Sequence, residues 1–267
     1  MKAQINNTSL HYLLDGPSDG ETVMLSNSLG ADAGMWKYQV EALVKAGYRV
    51  VRYDNRGHGM SPATPPPYSL EILTGDAVGL MDHLGLEKVH FCGLSLGGMV
   101  GQMLGAHHPE RLFSLTLCAT ASFMTLTDAE WEERMEVARR HGVSALADAT
   151  LERWFTTAGR TRLLEDVEET KKSILGTSFE GYAGCIAALR AMDLREAIGR
   201  ISTPTLIIVG DQDEATPVDA SEFIHSRIAS SSLVVIPEAA HLLNIERREI
   251  FNEHLLAFLA KNTVPSP

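Results

Sequence analysis

Six short runs of β-branched and apolar residues constrain this chain most: Thr22–Asn27, Tyr48–Tyr53, Lys88–Cys92, Leu112–Leu117, Thr205–Val209 and Leu233–Ile236. They are continuous rather than alternating, the pattern of strands buried on both faces of a parallel sheet. Parallel neighbours need crossover connections, and the intervening segments carry helical spacing. Met35–Ala46 puts Trp36, Val40, Leu43 and Val44 on one stripe, and Leu70–Leu84 does so with Leu73, Ala77, Leu80, Met81 and Leu84. Gly47 and Gly85 stand where helix C-caps fall. The alternation predicts an α/β fold, a mostly parallel central sheet flanked by helices.

From about Ser122 to Gly199 the alternation lapses. Glu, Arg, Ala and Leu dominate there, with apolar residues at helical intervals around Trp131, Met135, Leu146, Leu151 and Trp154. After Pro204 the alternation resumes, and Ile250, Leu255, Leu256, Phe258 and Leu259 read as a closing helix before a polar, Pro-containing tail. Both flanks share one sheet pattern, so the helical segment is expected to be an inserted cap: core 1–121, cap 122–199, second part of the core 200–267. A chain of 267 residues is long enough for one α/β unit carrying such an insertion.

Asp and Glu number 34 against 23 Lys and Arg, a formal charge of −11, and no basic stripe could neutralise a phosphate backbone. Nucleic acid is therefore not an expected partner, and an anionic substrate would need a local Arg or Lys to hold it against the overall field. The N-terminus is polar from the start, and no apolar run approaches the ~18–20 residues of a membrane span. The expectation is a cytoplasmic protein with no membrane partner; oligomeric state stays open. Cys92, Cys118 and Cys185 are odd in number and form no C-x-x-C pair, against a disulfide framework or a zinc site. The first two lie in apolar segments and are expected in the core.

The segment Val89-His90-Phe91-Cys92-Gly93-Leu94-Ser95-Leu96-Gly97-Gly98-Met99 carries the chemistry: an apolar strand running into G-x-S-x-G and then into a helix. Gly93 and Gly97 leave room for the sharp turn of a nucleophile elbow, which holds a serine hydroxyl at the head of a helix. Ser95 is the candidate nucleophile, and the Leu96 N–H can face an oxyanion there. A serine hydroxyl is weak at neutral pH and needs a base, itself oriented by an acid, in the chain order Ser, Asp, His. His241, in the loop after Leu233–Ile236, is the candidate base; alone it would pass for an ordinary loop histidine. Asp211 and Asp213, both in the loop after Thr205–Val209, compete for the acid role. The second oxyanion donor is expected after the early strand, where Leu29 N–H is the choice. His58, in Arg56-Gly57-His58-Gly59-Met60-Ser61, reads as a structural turn near the site.

Together these residues resemble the α/β-hydrolase fold superfamily, and within it the 3-oxoadipate enol-lactonase branch. The oxyanion loop Asn27-Ser28-Leu29-Gly30 is similar to the Asn-Ser-Leu-Gly of those enzymes, where many hydrolases of the fold carry His-Gly. Arg52–Gly59, Phe91–Met99, Pro109-Glu110-Arg111, Arg153–Thr156, Gly181-Tyr182-Ala183 and Ala188–Arg195 extend the likeness over nearly the whole chain. The Gly-x-x-Asp-x-x-x-Pro spacing usual in these hydrolases selects Asp213 and leaves Asp211 to shape the loop. Two positions depart: the acid loop reads Gly-Asp-Gln-Asp where Gly-Thr-His-Asp is frequent, and Met103 replaces a common Trp.

The resemblance implies cofactor-free opening of 3-oxoadipate enol-lactone to 3-oxoadipate through an acyl-enzyme on Ser95. That substrate carries a carboxylate, for which the cap residues Arg134, Arg153 and Arg190 are candidates. Trp131, Trp154 and Met135 line the pocket or form the cap's own core, and Trp36 packs beneath the oxyanion loop. Rival readings are another carboxylesterase or lactonase, a C–C bond hydrolase or a perhydrolase of the same fold. A ligand receptor of this fold is the alternative outside enzymes. Serine at the elbow argues against haloalkane dehalogenases and epoxide hydrolases, which use an aspartate there.

Overall fold

The computed structural model describes residues 1–263, and the Pro-containing tail of the closing helix lies outside them. Eight strands, β1 (Lys2–Ile5), β2 (Thr8–Asp15), β3 (Thr22–Ser26), β4 (Arg49–Tyr53), β5 (Val89–Leu94), β6 (Leu112–Cys118), β7 (Thr205–Gly210) and β8 (Ser231–Ile236), form one sheet in the order β1-β2-β4-β3-β5-β6-β7-β8. From β4 to β8 every pairing is parallel. Every residue of β3, β5 and β7 is buried, which explains why these strands read as unbroken apolar runs.

The sequence reading missed the first two strands. β1 and β2 pair antiparallel at the sheet's edge and alternate buried with more exposed positions, so no continuous apolar run marks them. Their turn is legible in retrospect: Asn6 and Asn7 both take positive φ (46° and 61°) between the paired Ile5 and Thr8, as a type I′ hairpin demands.

Helices α1 (Lys37–Lys45), α2 (Leu70–His83), α3 (Leu96–His107), α9 (Val218–Arg227) and α11 (Arg248–Lys261) accompany the strands. Gly47 and Gly85 follow α1 and α2 with φ of 91° and 66°, and the next residue's N–H reaches back into each helix (Tyr48 to Leu43 O, 3.0 Å; Leu86 to Met81 O, 2.9 Å). Between β6 and β7 lie α4 (Asp128–His141), α5 (Ala147–Trp154), α6 (Thr157–Arg162), α7 (Leu164–Leu175) and α8 (Phe179–Ala191). Thr127 opens this helical insertion with a capping box to Glu130. Its base is pinched where Phe123 bridges Asp193 and the Leu194 N–H donates to Ser122 O at 2.7 Å. Short α10 (Leu243–Glu246) precedes α11.

Cys92, Cys118 and Cys185 are all free and buried. Among the described residues no helix is long and apolar enough to cross a membrane, and no acidic, His and Cys cluster suits a metal.

The first turn of α3 lies against the end of β3 with no spare volume. A Cβ on Gly97 would fall 2.1 Å from Ser26 O and 2.5 Å from Ser26 C, both backbone atoms that cannot rotate aside. Gly97→Ala is therefore expected to destabilise the protein by roughly 2–3 kcal/mol or prevent folding. Gly199→Ala, where a Cβ meets nothing within 4 Å, should be close to neutral. Urea unfolding of the two variants checks the contrast.

Candidate active site

Ser95 stands between β5 and α3 with φ 56° and ψ −113°, a conformation costly for a residue with a side chain. The surroundings hold it there. Its N–H donates to Cys118 O at 2.9 Å, and its carbonyl accepts Thr120 Oγ1 at 2.8 Å and Met99 N–H at 3.0 Å. A Cβ on Gly93 would sit 2.1 Å from Gly97 O, and one on Gly98 would sit 2.6 Å from Thr120 Cβ. The glycines thus let strand and helix close on each other while the Ser95 side chain stays partly exposed.

Across the sheet, the loops after β7 and β8 meet backbone to backbone. Gly210 has room for no side chain against Ala239 O (2.2 Å), and Gln212 N–H donates to the same oxygen at 2.9 Å. This contact brings His241 to Asp213, with Nδ1 2.9 Å from Oδ2 and 3.1 Å from Oδ1, both residues buried. Asp213 Oδ1 also accepts Ala215 N–H (2.8 Å) and Thr216 N–H (3.0 Å), and Oδ2 accepts Thr216 Oγ1 at 2.8 Å. Burial pushes the Asp213 carboxyl up, but the His241 imidazole and the Thr216 donors outweigh it and hold the acid below its usual range. Asp211 instead turns to the loop backbone, its Oδ1 accepting Ala239 N–H at 3.3 Å.

The loop after β3 is pinned through Asn27. Its Nδ2 donates to Tyr53 O (2.8 Å), its Oδ1 accepts Trp36 Nε1 (2.9 Å), and its carbonyl accepts Gly97 N–H (3.0 Å). Trp36, wholly buried, thus packs beneath this loop and also hydrogen-bonds to it. Leu29 and Leu96 are buried, and among the described residues neither backbone N–H has a protein acceptor. Both donors are free for a ligand oxygen.

In the insertion, the Trp154 ring lies 6.0 Å from the His241 ring. Trp131 and Met135 are buried and belong to the hydrophobic cluster that runs from the sheet into the insertion. Arg134 Nε donates to Tyr182 Oη, and its guanidinium lies 5.6 Å from that ring's centre. Arg153, half-buried, has no hydrogen bond or ion pair among the described residues. Burial and the nearby Arg134 push its guanidinium down, against smaller opposite effects of Tyr182 and Glu214. Arg190 is different. Its two terminal nitrogens are taken by Glu132 (2.7 Å) and Asp128 (2.9 Å), so it belongs to an ion-pair cluster with exposed acids.

Thr120 and Thr216 were assigned no role from the sequence, and Tyr182 entered only as part of the Gly181-Tyr182-Ala183 likeness. Only Thr216 left a signal there, a hydroxyl three residues after Asp213 in a loop, the spacing of a local side-chain turn. His58 does form a buried turn, its Nδ1 3.2 Å from Arg56 O.

The lowered Asp213 carboxyl has a stability consequence of fixed sign. Its contribution is complete above the ordinary aspartate range and is lost as pH falls through the lowered value. The gap in melting temperature between wild type and Asp213→Asn should be widest near neutral pH and close in acid, which thermal scans across pH would read.

Comparison with known proteins shows the family of the chain. The α/β-hydrolase fold family matches over residues 21–248. A protein of Acinetobacter baylyi named 3-oxoadipate enol-lactonase 2 is 36% identical over 253 residues, 95% of this chain and 94% of that protein. A putative carbamate hydrolase of Variovorax paradoxus is 31% identical over 96% of this chain and 98% of its own. The crystal structure of the enol-lactonase from Burkholderia xenovorans superposes with a TM-score of 0.94 at 40% identity, covering 97% of this chain and all of that one. The protein is an ester-hydrolase-type enzyme, and its chain belongs to the α/β-hydrolase fold family.

Proposed function

We propose that the enzyme opens an enol-lactone, 3-oxoadipate enol-lactone to 3-oxoadipate, through an acyl-enzyme on Ser95. The observation that carries the substrate class is Arg153, a half-buried guanidinium without an ion-pair partner among the described residues, beside Arg134 in a chain of net charge −11. A carboxylate between the two arginines would relieve their repulsion and accept paired hydrogen bonds. The ring of the neighbouring residue, Trp154, lies 6.0 Å from that of His241, which supports an anion site in the region of the base. The relatives named as enol-lactonases support the same substrate.

In this reading Ser95 Oγ attacks the lactone carbonyl and His241 Nε2 takes its proton, while Asp213 fixes the imidazole through Nδ1–H and balances its charge. Leu29 and Leu96 N–H groups hold the oxyanion. The ring C–O bond breaks, and His241 returns the proton to the departing enol oxygen, which stays tethered to the acyl group and becomes a ketone. That tautomerisation removes the group that could close the ring again. Water, deprotonated by His241, then attacks the acyl carbon and frees Ser95. Residues 122–199 serve as the cap that binds the substrate, with 1–121 and 200–267 as the core beneath.

Ser95→Ala should fold normally and lose about 10³-fold or more in kcat on the lactone, as removal of a nucleophile does elsewhere. Stopped-flow or steady-state absorbance of the enol-lactone reads it, and full turnover by a folded variant would reject the mechanism. Arg153→Ala should lower kcat/KM on the lactone by roughly 10–100-fold, the loss of one charged hydrogen bond, with little change on a neutral aryl acetate. Arg190→Ala, outside the site, should change neither. A carbamate substrate assayed in parallel tests the alternative suggested by the 31% identical relative.

A further inference from the structure

His241 is held from outside its own loop. Glu246 in α10 is 4% exposed, and its carboxylate turns back toward the histidine's neighbour, with Oε2 accepting Ala240 N–H at 2.9 Å. Oε1 accepts Thr156 N–H at 3.1 Å and the Thr156 hydroxyl. No Lys, Arg or His pairs with this carboxylate among the described residues; two backbone N–H groups and one hydroxyl are its donors. Thr156 belongs to the helical insertion, where it caps α6. On the other side of His241, Leu242 N–H donates to Trp154 O at 2.9 Å. Both chain neighbours of His241 are therefore tied to residues 154 and 156 of the cap. The fit is tight: a Cβ on Gly159 would fall 1.8 Å from Glu246 Oε1.

We propose that Glu246 is a positioning residue for His241, clamping the loop that bears it to the cap through Thr156. The proposal rests on the reading of His241 as general base. An ionised carboxylate only accepts, so three donors can converge on it, whereas an amide would turn an N–H toward one of them. The α5–α6 half of the cap is then part of the frame that orients the base. It cannot lift as a lid without releasing Ala240 and Leu242.

The test compares full-length Glu246→Gln with wild type on the enol-lactone and on 4-nitrophenyl acetate, together with the low-field imidazole N–H resonance of His241 in proton NMR. The expected result is a folded variant whose kcat falls about tenfold or more by a similar factor on both substrates, with KM within about twofold, because a displaced base impairs any acyl transfer. The His241 resonance should shift or broaden at the same time. Thr156→Val should move kcat in the same direction, and Thr156→Ser, which keeps the hydroxyl, should retain more activity; this pair carries the test if Glu246→Gln does not fold. An unchanged kcat and resonance in folded Glu246→Gln would overturn the proposal. So would a loss confined to the lactone or to KM, which would place Glu246 at the substrate instead. If wild type hydrolyses the acetate but not the lactone, the substrate reading above fails, while acetate kcat and the resonance still decide on the clamp.

Discussion

The contact between the first turn of α3 and the end of β3 is the constraint on which the rest of the site depends. Gly97 N–H donates to Asn27 O at 3.0 Å, and the backbone of Ser26 occupies the space a side chain on Gly97 would need. This approach brings the β3 loop, with the Leu29 N–H, up to the head of α3, with the Leu96 N–H. It also forces Ser95 into its left-handed conformation, because the strand must enter the helix over a single residue. The strain is tolerable because Cys118, Thr120 and Met99 each hold the Ser95 backbone. Asn27 connects this arrangement to Tyr53 and Trp36, so the loop after β3 is held by buried neighbours on β4 and beneath it.

A second feature is that the insertion is docked on the core at several places through hydrogen bonds and close backbone contacts. On one side α7 meets the core through polar bonds: Ser173 Oγ accepts Asp32 N–H at 2.8 Å, and Asp166 accepts from both Tyr38 Oη and Lys37 Nζ. At the start of α8, Gly57 and Gly181 touch backbone to backbone, and Ser178 N–H donates to Gly57 O at 3.0 Å. Elsewhere Trp154 O accepts Leu242 N–H next to His241, and Thr156 donates to Glu246 in α10. An insertion bound this way is tied to the core at several separate points. It also brings Arg134 and Arg153 close to each other in a molecule of net charge −11.

Much of this was legible in the residues because the signals are local. Buried parallel strands leave continuous apolar runs, C-cap glycines follow α1 and α2, and the elbow writes its glycines at fixed offsets around Ser95. The antiparallel strands β1 and β2 escaped because one side of the pair faces solvent and polar residues interrupt the pattern. The choice between Asp211 and Asp213 could be made only by likeness to known hydrolases. Geometry separates them physically, since one carboxylate faces Nδ1 of His241 and the other a backbone N–H.

The sequence by itself determined the α/β architecture, the helical insertion between β6 and β7, the serine and histidine candidates, and a loop holding two aspartates from which the acid would come. Each is encoded in neighbouring residues through periodicity, turn chemistry and chain order. Tertiary structure alone decided which arginines are available. Arg190 and Arg153 look alike as letters in helical segments, but Asp128 and Glu132 occupy the first, while the second is left beside Arg134 and Tyr182. It alone also decided that Glu246 reaches Thr156, ninety residues earlier in the chain. Pairings over such separations depend on how the cap sits on the core, and no local pattern of residues records that.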